Sequence, residues 1–436
     1  MIKTKNPFLR CNKWFQCLAN LLFDPDKYFV FTPWCQRIGH LSIEIITAVC
    51  IAIRDKKQLI LIPFIKSVNK EIINCEYNCK IYIKKDWKIF LLKSVLFFSG
   101  IFHYLYNGVR SKVVIILPFL SKIIPSIFFY PRYGIEKGNG RKLRLIGTKQ
   151  YLDWNLLSSV KYDIQLTSDQ LTCGKINSEK MGIPQNAWFV CLHIREQGYL
   201  GNSADNYRDS NISNYTKAIH FITKKGGYVI RMGDPSMTPI RPMENVIDYA
   251  NSEYRSDLMD IYLVSQCRFF LGCDSGLFFL AWLFHKPCCL VNLAELVVSP
   301  PIFDHSIFIP KRFYSKKKRR FVSLKEELST STPFMNPDYM YVENSPEEIF
   351  ETVKEHFCFL DNGKFTGNKR SQEEFHDLRR KRYENILSEK GRGYKHICQL
   401  EGTLPIKIRV GSYFLERCWD SSPYLQNLSK LYNWEE

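Results

Sequence analysis

The chain has 436 residues and a formal charge of +18, with 45% hydrophobic and 14% aromatic residues. This length is too great for one ordinary hydrophobic core and predicts two domains with a cleft between them, and the apolar content excludes global disorder. The charge favours an anionic partner, and nucleic acid, an anionic membrane and a phosphorylated substrate satisfy it equally well.

Cysteine usage bears on the compartment and on metal binding. The chain has 15 cysteines, and its start lacks the regions of a secretory signal, so reduced thiols and a cytoplasmic location are expected. A zinc site needs two pairs of cysteine or histidine ligands, and neither Cys75-x3-Cys79 nor Cys288-Cys289 has a second pair. We therefore expect no metal site and no disulfide framework.

Two very apolar stretches, residues 89–105 and 113–129, raise the question of a membrane span. Lys93 interrupts the first stretch, and two prolines and Lys122 interrupt the second, so neither reaches the roughly 18–20 apolar residues of a spanning helix. Buried core elements are the favoured interpretation. The alternative is a lysine-studded surface that rests on an anionic bilayer, peripheral to the inner face of the membrane.

The first half of the chain alternates strands with helices. An apolar run at residues 27–32 predicts a strand, and Gly39-His40 then opens the helical pattern LSIEIITAVCIAI. Further strands are predicted at 58–65, 80–83 and 112–117, and a helix is predicted at 87–106, between the last two of these strands. Strands that alternate with helices predict a mostly parallel sheet.

The second half has a clearer pattern of the same kind. Short apolar runs predict strands at 188–194, 228–232, 246–249, 267–272 and 288–292. Helices are predicted at 213–225, 257–266 and 277–284, with Ser256 as the cap of the second. This order predicts an open, doubly wound parallel sheet.

The connection between the halves is expected at residues 130–186, which hold several glycines and show no clear period. These boundaries predict an N-terminal α/β domain at 1–150, a C-terminal α/β domain at 151–345, and a C-terminal helix with a basic tail at 346–436.

The tail region has two local signals. Ser345 to Glu348 form a capping box with Pro346 at the first helical position, which predicts a helix through about residue 357. Residues 311–320 form a dense basic run, which is expected in a loop.

Polar residues follow the predicted strands of the second half. In open α/β sheets, ligands bind beyond the carboxyl ends of the strands, at the point where the strand order reverses. Four polar sets stand at such ends: His193-Ile194-Arg195, Arg231 with Gly233-Asp234, Asp248-Tyr249 and Cys273-Asp274-Ser275-Gly276. They are candidates for one site because they fall at one edge of the sheet.

Arg195 and the turn at 273–276 predict an anion site. Ser275 and Gly276 are expected at the start of a helix, where N–H groups and the helix dipole attract an anion. Arg195 is a permanent cation able to make bidentate contacts with phosphate oxygens, and its loop is expected to face the same turn. A diphosphate would suit such a clamp.

Each of these residues also has a purely structural interpretation. Arg195 could pair with Glu196 or with an acidic loop residue, and Ser275 could act only as a helix cap. Asp234 could serve only to form a turn, and His193 could be a satisfied histidine of the core. The residues alone leave these alternatives open.

The order of these segments resembles the donor domain of the α1,6-fucosyltransferases and the protein O-fucosyltransferases. That family carries an H-x-R element after the first strand, an acidic D-P-S turn, a D-I-x-x-L-S-Q helix and then a Ser-containing turn. The matching segments here are His193-Ile194-Arg195, Asp234-Pro235-Ser236, Asp260 to Gln266 and Asp274-Ser275-Gly276. The chain is also similar to a group of bacterial surface-polysaccharide glycosyltransferases that share H-I-R-E-x-G-Y, R-M-G-D and D-S-G.

The resemblance implies a GT-B fold of two Rossmann-like domains, here with a C-terminal helical and basic extension. It implies that Arg195 and Ser275 contact the diphosphate of a nucleotide sugar, GDP-linked in that family, and that His193 and Asp260 contact the nucleotide. It also implies a metal-independent enzyme without a cofactor, which transfers a sugar to a surface polysaccharide or to another glycan or lipid-linked acceptor. The predicted donor site consists of His193, Arg195, Arg231, Asp234, Asp260, Asp274, Ser275 and Gly276.

The chemistry of such a transfer suggests further roles. Charge builds on the departing diphosphate, and fixed cations must stabilise it when no metal does; Arg195 is the first candidate and Arg231 the second. Asp24-Pro25-Asp26 precedes the first strand and is a chance match to a metal-binding D-x-D motif. A general base is expected on the first domain, with His40 and Glu44 as candidates, although a surface helix position is the commoner outcome for Glu44.

Two rival functions remain to be weighed. Asp274-Ser275-Gly276 after an apolar strand resembles half of an aspartic-protease site, but the chain has no second copy and a helix is predicted to follow. The rival from another class is a non-enzymatic protein that binds an anionic membrane or nucleic acid through residues 311–320 and the basic tail. We expect a nucleotide sugar as the partner, and no nucleic acid.

Overall fold

The computed structural model describes the chain in segments separated by gaps. The described residues are 22–31, 33, 37–62, 68–79, 87–88, 90–92, 94, 150–196, 206–294, 305–329, 338–365, 367–388, 398–401 and 409–431. The strands predicted at 80–83 and 112–117, and the 95–106 part of a predicted helix, lie outside them. The chain divides into two compact units, the first formed by Met1–Ile164 with Ile397–Glu401 and the second by Gln165–His396 with Gly402–Glu436.

The first unit contains a β-α-β motif. The strands and helices of both units are numbered here in chain order. Strand β1, Tyr28–Phe31, pairs in parallel with β2, Gln58–Leu61, and helix α1, Ile38–Arg54, connects the two. Apolar residues lie on every side of α1, and the helix is therefore buried continuously from Leu41 to Ala52 rather than along one stripe. The strand and helix predicted here are confirmed.

The other elements of the first unit are short. They are α2 (Glu71–Asn74), β3 (Glu76–Tyr77), β4 (Gln150–Asp153), α3 (Trp154–Ser159) and β15 (Cys398–Glu401), with β5 (Ile164–Gln165) at the boundary between the units. Strand β15 pairs in parallel with β4, and α1 contacts both β4 and α3.

A seven-stranded sheet, parallel throughout, is the centre of the second unit. Its strands are β6 (Phe189–His193), β7 (Tyr228–Arg231), β8 (Val246–Ile247), β9 (Phe270–Gly272), β10 (Cys288–Leu293), β11 (Ile307–Pro310) and β16 (Arg409–Val410). The spatial order is β16-β11-β10-β9-β6-β7-β8. The chain runs outward from β6 to β8 and then returns to place β9 on the other side of β6, so the strand order reverses between β6 and β9.

The mixed α/β class with a large parallel sheet, expected from the sequence, is therefore confirmed. All six residues of β10 are buried, as expected for a parallel strand in the middle of a sheet.

The helices of the second unit are α4 (Ser168–Lys180), α5 (Thr216–Lys224), α6 (Asp257–Gln266), α7 (Phe278–Leu283), α8 (Leu324–Ser329), α9 (Pro346–Asn362), α10 (Lys369–Ser388), α11 (Ser412–Cys418) and α12 (Pro423–Leu431). Two of them, α6 and α9, begin where their capping signals place them. Ser256 caps α6 by accepting the N–H of Met259, and the predicted capping box at Ser345 is present at the start of α9. Helix α9 ends at Gly363, whose φ of 68° is left-handed.

The prediction that the basic run 311–320 lies in a loop is wrong for residues 312–315 and 320, which are in strands, whereas residues 316–319 form the turn between them. Strand β12, Arg312–Ser315, pairs antiparallel with β13, Arg320–Val322, and with β14, Tyr339–Val342. The run also carries Phe313 and Tyr314, whose rings contact Tyr341 and Phe321 on the partner strands. Aromatic cross-strand pairs of this kind stabilise a sheet, and they outweigh the charge density of the segment.

No helix in the described part of the chain is both long enough and apolar enough to cross a bilayer.

Candidate functional site

The turns that follow β6 and β9 are joined to each other at the point where the strand order reverses. His193, the last residue of β6, lies opposite Gly272, the last residue of β9. Beyond them the Cys273 N–H donates to the His193 carbonyl oxygen at 3.2 Å, and the Arg195 N–H donates to the Cys273 Sγ atom at 3.1 Å. The structure thus brings the H-I-R segment and the C-D-S-G turn together.

Gly272 permits this close approach of the two strands. A Cβ atom at Gly272 would lie 3.0 Å from the His193 carbonyl oxygen and 2.6 Å from the Phe270 ring. Any side chain at this position would force the two turns apart or displace that ring.

A third segment, residues 208–210, closes the site through two ion pairs. The Arg195 Nε atom lies 3.2 Å from the Asp209 Oδ1 atom, and the Arg208 Nη1 atom lies 3.8 Å from the Asp274 Oδ1 atom. The Ser210 N–H also donates to the Arg195 carbonyl oxygen at 3.0 Å. Neighbouring residues of this segment therefore hold both turns, one through a carboxylate and the other through a guanidinium.

Lys311 adds a third cation beside the two arginines. It follows β11, is 4% exposed, and donates through Nζ to the Asp209 carbonyl oxygen. Burial lowers the pKa of Lys311, while nearby acidic groups, among them Glu343, Asp209 and Asp274, act in the opposite direction. Sequence reasoning missed Arg208, Asp209 and Lys311; only Lys311 had a signal, as the first residue of the basic run.

The turn at 274–276 has hydrogen-bond donors without protein acceptors. Within the described part of the chain, the Ser275 Oγ atom is buried and has no partner, and no acceptor pairs with the N–H groups of Ser275 and Gly276. Most buried polar groups in folded proteins are hydrogen-bonded. The buried Ser275 Oγ atom is the exception in this turn, and the N–H groups of Ser275 and of the exposed Gly276 lie beside it.

The interpretation of Ser275 as a helix cap is wrong. Helix α7 begins at Phe278 and is six residues long, one residue shorter at each end than predicted, and Leu277 precedes it without a side-chain cap. A helix this short has few aligned peptide dipoles. A helix dipole therefore adds little at this turn, and the groups that remain for an anion to contact are the donors of the turn and the neighbouring cations.

Arg231 does not present its guanidinium to a ligand. Its side chain is 0% exposed, and it is bonded to Glu196 at 2.5 Å and to Asp248 at 3.0 Å. Two carboxylates thus neutralise the cation predicted as a second phosphate ligand, which makes Arg231 a structural residue here. The sequence offered Glu196 or an acidic loop residue as the partner of Arg195. In the structure Glu196 pairs with Arg231, and the acidic loop residue Asp209 pairs with Arg195.

His193 is held neutral beside this network. Burial lowers the pKa of His193 to about 4; Asp234 opposes the shift, and Arg231 and Arg195 add to it. Its Nδ1 atom is buried and has no hydrogen-bond partner in the described part of the chain. A neutral imidazole with an unused nitrogen at a strand end is suited to contact a ligand.

Asp234 forms a turn, as one interpretation of the sequence expected. Its Oδ1 atom accepts the N–H of Ser236 at 2.9 Å. The preceding Gly233 has a φ of 153°, and a Cβ atom there would lie 1.9 Å from the sulfur of Met237. The tight turn therefore depends on glycine, and it places Asp234 close enough to His193 to affect its pKa.

Asp260 lies in the first turn of α6 and is bonded within its own neighbourhood. The Tyr249 hydroxyl donates to the Asp260 Oδ1 atom at 2.7 Å. Burial raises the pKa of Asp260 to about 6, although this hydrogen bond and Arg255 act in the opposite direction. Asp260 can therefore change protonation close to neutral pH.

The two candidates for the general base belong to the first unit. His40 lies in the first turn of α1 and is half-buried, whereas Glu44 lies one turn later and is 3% exposed. The expectation that Glu44 is a surface helix residue is wrong, because α1 is buried on all sides. A role as general base stays a prediction for both residues.

Among the described residues, no three His, Cys, Asp or Glu side chains cluster in a way that could hold a metal ion. The 11 cysteines whose side chains the structure describes are free thiols.

Comparison with known proteins gives distant structural likenesses. No protein-family model and no curated protein sequence matches the chain. Among the similar solved structures, a family 9 glycosyltransferase from Veillonella parvula is 10% identical, with a TM-score of 0.36 over 65% of this chain and 86% of that chain. The iron-containing dodecameric glycosyltransferase TibC from enterotoxigenic E. coli is 13% identical, with a TM-score of 0.28 over 61% of this chain and 57% of that chain.

NodZ alpha-1,6-fucosyltransferase, co-crystallised with GDP, is 9% identical, with a TM-score of 0.29 over 59% of this chain and 92% of that chain. These three similar structures are all glycosyltransferases.

Proposed function

We propose that the chain is a glycosyltransferase that binds the diphosphate of a nucleotide sugar between the turns after β6 and β9. The observation that carries this proposal is the buried Ser275 Oγ atom without a hydrogen-bond partner, beside the N–H groups of Ser275 and Gly276 that no protein acceptor pairs with, next to the turn that holds Arg195. A diphosphate supplies several acceptor oxygens and negative charge, which match the donors and the cations together.

Arg195, Arg208 and Lys311 would act on the leaving group. As the bond between the anomeric carbon and the diphosphate oxygen breaks, negative charge grows on that oxygen, and preorganised cations stabilise it. Asp209 and Asp274 hold the two arginines in position before the donor binds. The acceptor hydroxyl would attack the anomeric carbon and lose its proton to a base, for which His40 and Glu44 remain the candidates.

The same proposal covers the finer expectations. His193, with its unused Nδ1 atom, would contact the nucleotide, and Asp260 would do so after a rearrangement of its bond to Tyr249. Arg231 is left out of the donor site because its charge is already matched. A two-domain GT-B arrangement, metal independence, a surface polysaccharide or other glycan acceptor, and a cytoplasmic location belong to the proposal as well.

A thermal-shift panel of GDP, UDP, ADP, CMP and dTDP, with and without EDTA, tests this function. Saturation at about 100 times the Kd adds about 2.7 kcal/mol of stability, which raises the Tm by a few degrees. We expect a nucleoside diphosphate to produce this rise, CMP to produce less, and EDTA to leave it unchanged.

Three variants locate the site. Arg195→Ala and Ser275→Ala are expected to abolish the shift or to weaken it at least tenfold in ligand concentration, as loss of a charge-assisted hydrogen bond implies. Arg268→Ala is the matched control, because Arg268 precedes β9 at the opposite end of the strand, where it pairs with Asp361 and stacks on Trp188. No shift with any nucleotide would favour the rival, a non-enzymatic binder of anionic surfaces, and a full shift in Arg195→Ala would place the ligand elsewhere.

A further inference from the structure

A short helical segment of the first unit exposes its largest apolar side chains to solvent. The chain is helical at each described position between 87 and 94. Trp87 is 66% exposed, Phe90 73% and Leu91 37%, whereas Leu92 is 0% exposed. We call Trp87, Phe90 and Leu91 the apolar ridge.

The spacing of the ridge makes it one continuous surface. Its residues stand at positions i, i+3 and i+4 of the helix, which lie on the same face. A surface helix normally buries such a stripe and turns its polar face outward. Single exposed hydrophobic residues are common, as at Leu171 and Ile176 of α4, which are 40% and 48% exposed, but a contiguous apolar ridge indicates a binding partner.

The charge of the sequence that contains the ridge indicates the kind of partner. Residues 80–93 hold five lysines and one acidic residue, and residues 80–149 hold 14 Lys or Arg and two acidic residues. Lys88 lies within the helical segment, with its Nζ atom 5.7 Å from the centre of the Phe23 ring. A second copy of the chain would bring like charges together, and the cost of this repulsion disfavours self-association. An anionic surface would instead gain from the same charges.

The side chains of the ridge favour lipid over nucleic acid. Trp and Phe prefer the boundary between headgroups and acyl chains, and a helix that carries them with Leu on one face and Lys nearby has the pattern of an interfacial helix. Nucleic acid binds to aromatic side chains by base stacking. The aliphatic side chain of Leu91 offers no stacking surface, but it does gain from insertion into acyl chains.

We propose that the apolar ridge docks the first unit on an anionic lipid bilayer, with Trp87, Phe90 and Leu91 inserted below the headgroups and the neighbouring lysines bound to them. This inference does not depend on the proposed glycosyltransferase function, since it concerns other residues and another kind of partner.

Co-sedimentation of the full chain with vesicles tests the inference. Vesicles of phosphatidylcholine alone are compared with vesicles that also contain phosphatidylglycerol, at low and high salt. The full chain is expected to bind the phosphatidylglycerol vesicles and to lose affinity as salt rises. The variant Trp87→Ser/Phe90→Ser/Leu91→Ser is expected to bind at least tenfold more weakly.

Two further variants make the result specific. Leu171→Ser/Ile176→Ser removes exposed apolar residues of the second unit and is expected to bind vesicles like the unchanged chain. Lys84→Glu/Lys88→Glu keeps the ridge and is expected to lose the preference for phosphatidylglycerol. The thermal unfolding of each variant is measured alongside, because the ridge residues are exposed and their replacement should leave the Tm within a few degrees.

Several outcomes would overturn the inference. The unchanged chain could fail to bind vesicles, the ridge variant and the α4 variant could lose the same amount of vesicle binding, or binding could be the same with and without phosphatidylglycerol. A ridge variant that lost self-association in light scattering, or lost RNA binding while its vesicle binding was unchanged, would assign the ridge to a second copy or to nucleic acid instead.

Discussion

Arg195 follows β6 and Arg231 is the last residue of the neighbouring strand β7, and the two residues differ in what surrounds them. Arg195 is 9% exposed and forms an ion pair with Asp209, while Arg231 is 0% exposed and lies between Glu196 and Asp248. A guanidinium between two carboxylates is matched within the protein, whereas Arg195 lies next to a turn that has unsatisfied donors. The first position therefore serves ligand binding in our account, and the second serves stability.

Replacement of Arg231 tests this division. Arg231→Met is expected to lower the free energy of unfolding by about 3–5 kcal/mol, because Glu196 and Asp248 would be left without their cation. Chemical denaturation measures the change, with Arg195→Ala for comparison. A loss below about 1 kcal/mol together with loss of nucleotide binding would mean that Arg231 is a ligand after all.

His356 predicts a pH dependence of stability. It is 0% exposed, its Nε2 atom lies 2.8 Å from the His305 carbonyl oxygen, and burial lowers its pKa to about 4. As pH falls below about 6.5, the histidine takes up a proton in the unfolded chain, whereas in the folded chain it stays neutral until about pH 4. The free energy of unfolding therefore falls by up to about 1.4 kcal/mol per pH unit between these two pH values. Above pH 6.5 the effect is absent.

The variant His356→Gln removes this contribution and retains a donor for the His305 carbonyl oxygen. Denaturant unfolding at several pH values between 6.5 and 4 is expected to show a slope smaller by nearly one proton than that of the unchanged chain. An identical slope in the two proteins would show that His356 does not stay neutral in the folded state.

The residues of the site were predictable only in part. Arg195 and Ser275 could be found because each follows an apolar run that predicts a strand, and parallel strands end at one edge. Arg208 and Asp209 follow no strand. Their ion pairs with Asp274 and Arg195 join residues up to 66 positions apart, and a local sequence pattern does not encode such contacts. Burial of Arg231 depends on Glu196 and Asp248 together, and this too is a tertiary effect.

At the scale of elements, helices α4 and α6 pack through a glycine. A Cβ atom at Gly174 of α4 would lie 2.0 Å from the Cδ2 atom of Tyr262 of α6. Tyr262 is 9% exposed, and its ring would have to move away from the helix axis.

Gly174→Ala is therefore expected to destabilise the protein by about 1–3 kcal/mol through overpacking, even though alanine is the better helix former by about 1 kcal/mol. Lys175→Ala, at the exposed neighbouring position, is the control and is expected to change stability by less than about 0.5 kcal/mol. Thermal and denaturant unfolding measure both. A Gly174→Ala protein more stable than the unchanged chain would show that the two helices do not pack as closely as described.

Elements whose own residues carry a signal, such as a helix cap, were predicted well. Elements that form only because they pair with another part of the chain were not. The capping box at Ser345 and the cap at Ser256 fix the starts of α9 and α6 from local chemistry alone. The basic run 311–320 became a hairpin because Phe313 and Tyr314 find aromatic partners on β14 and β13. The end of the chain showed no strand signal, since the two residues of β16 gain their place only from pairing with β11.

At the scale of the whole molecule, the chain separates into two units that carry different surfaces. The second unit holds the reversal of strand order and the proposed anion site beside it, and the first holds the buried α1 and the apolar ridge. A parallel α/β architecture could be predicted from the alternation of apolar runs. The sequence did not predict that the first unit is formed by two separate stretches of chain, because the pairing of β15 with β4 has no sequence signal.

The central claim is that the turns after β6 and β9 bind a diphosphate. A crystal structure of the chain with the nucleoside diphosphate that raises its Tm the most tests it directly. We expect the diphosphate within hydrogen-bond distance of the Arg195 guanidinium, the Ser275 Oγ atom and the Gly276 N–H group. A diphosphate bound away from these three groups, with Ser275 still without a partner, would contradict the account.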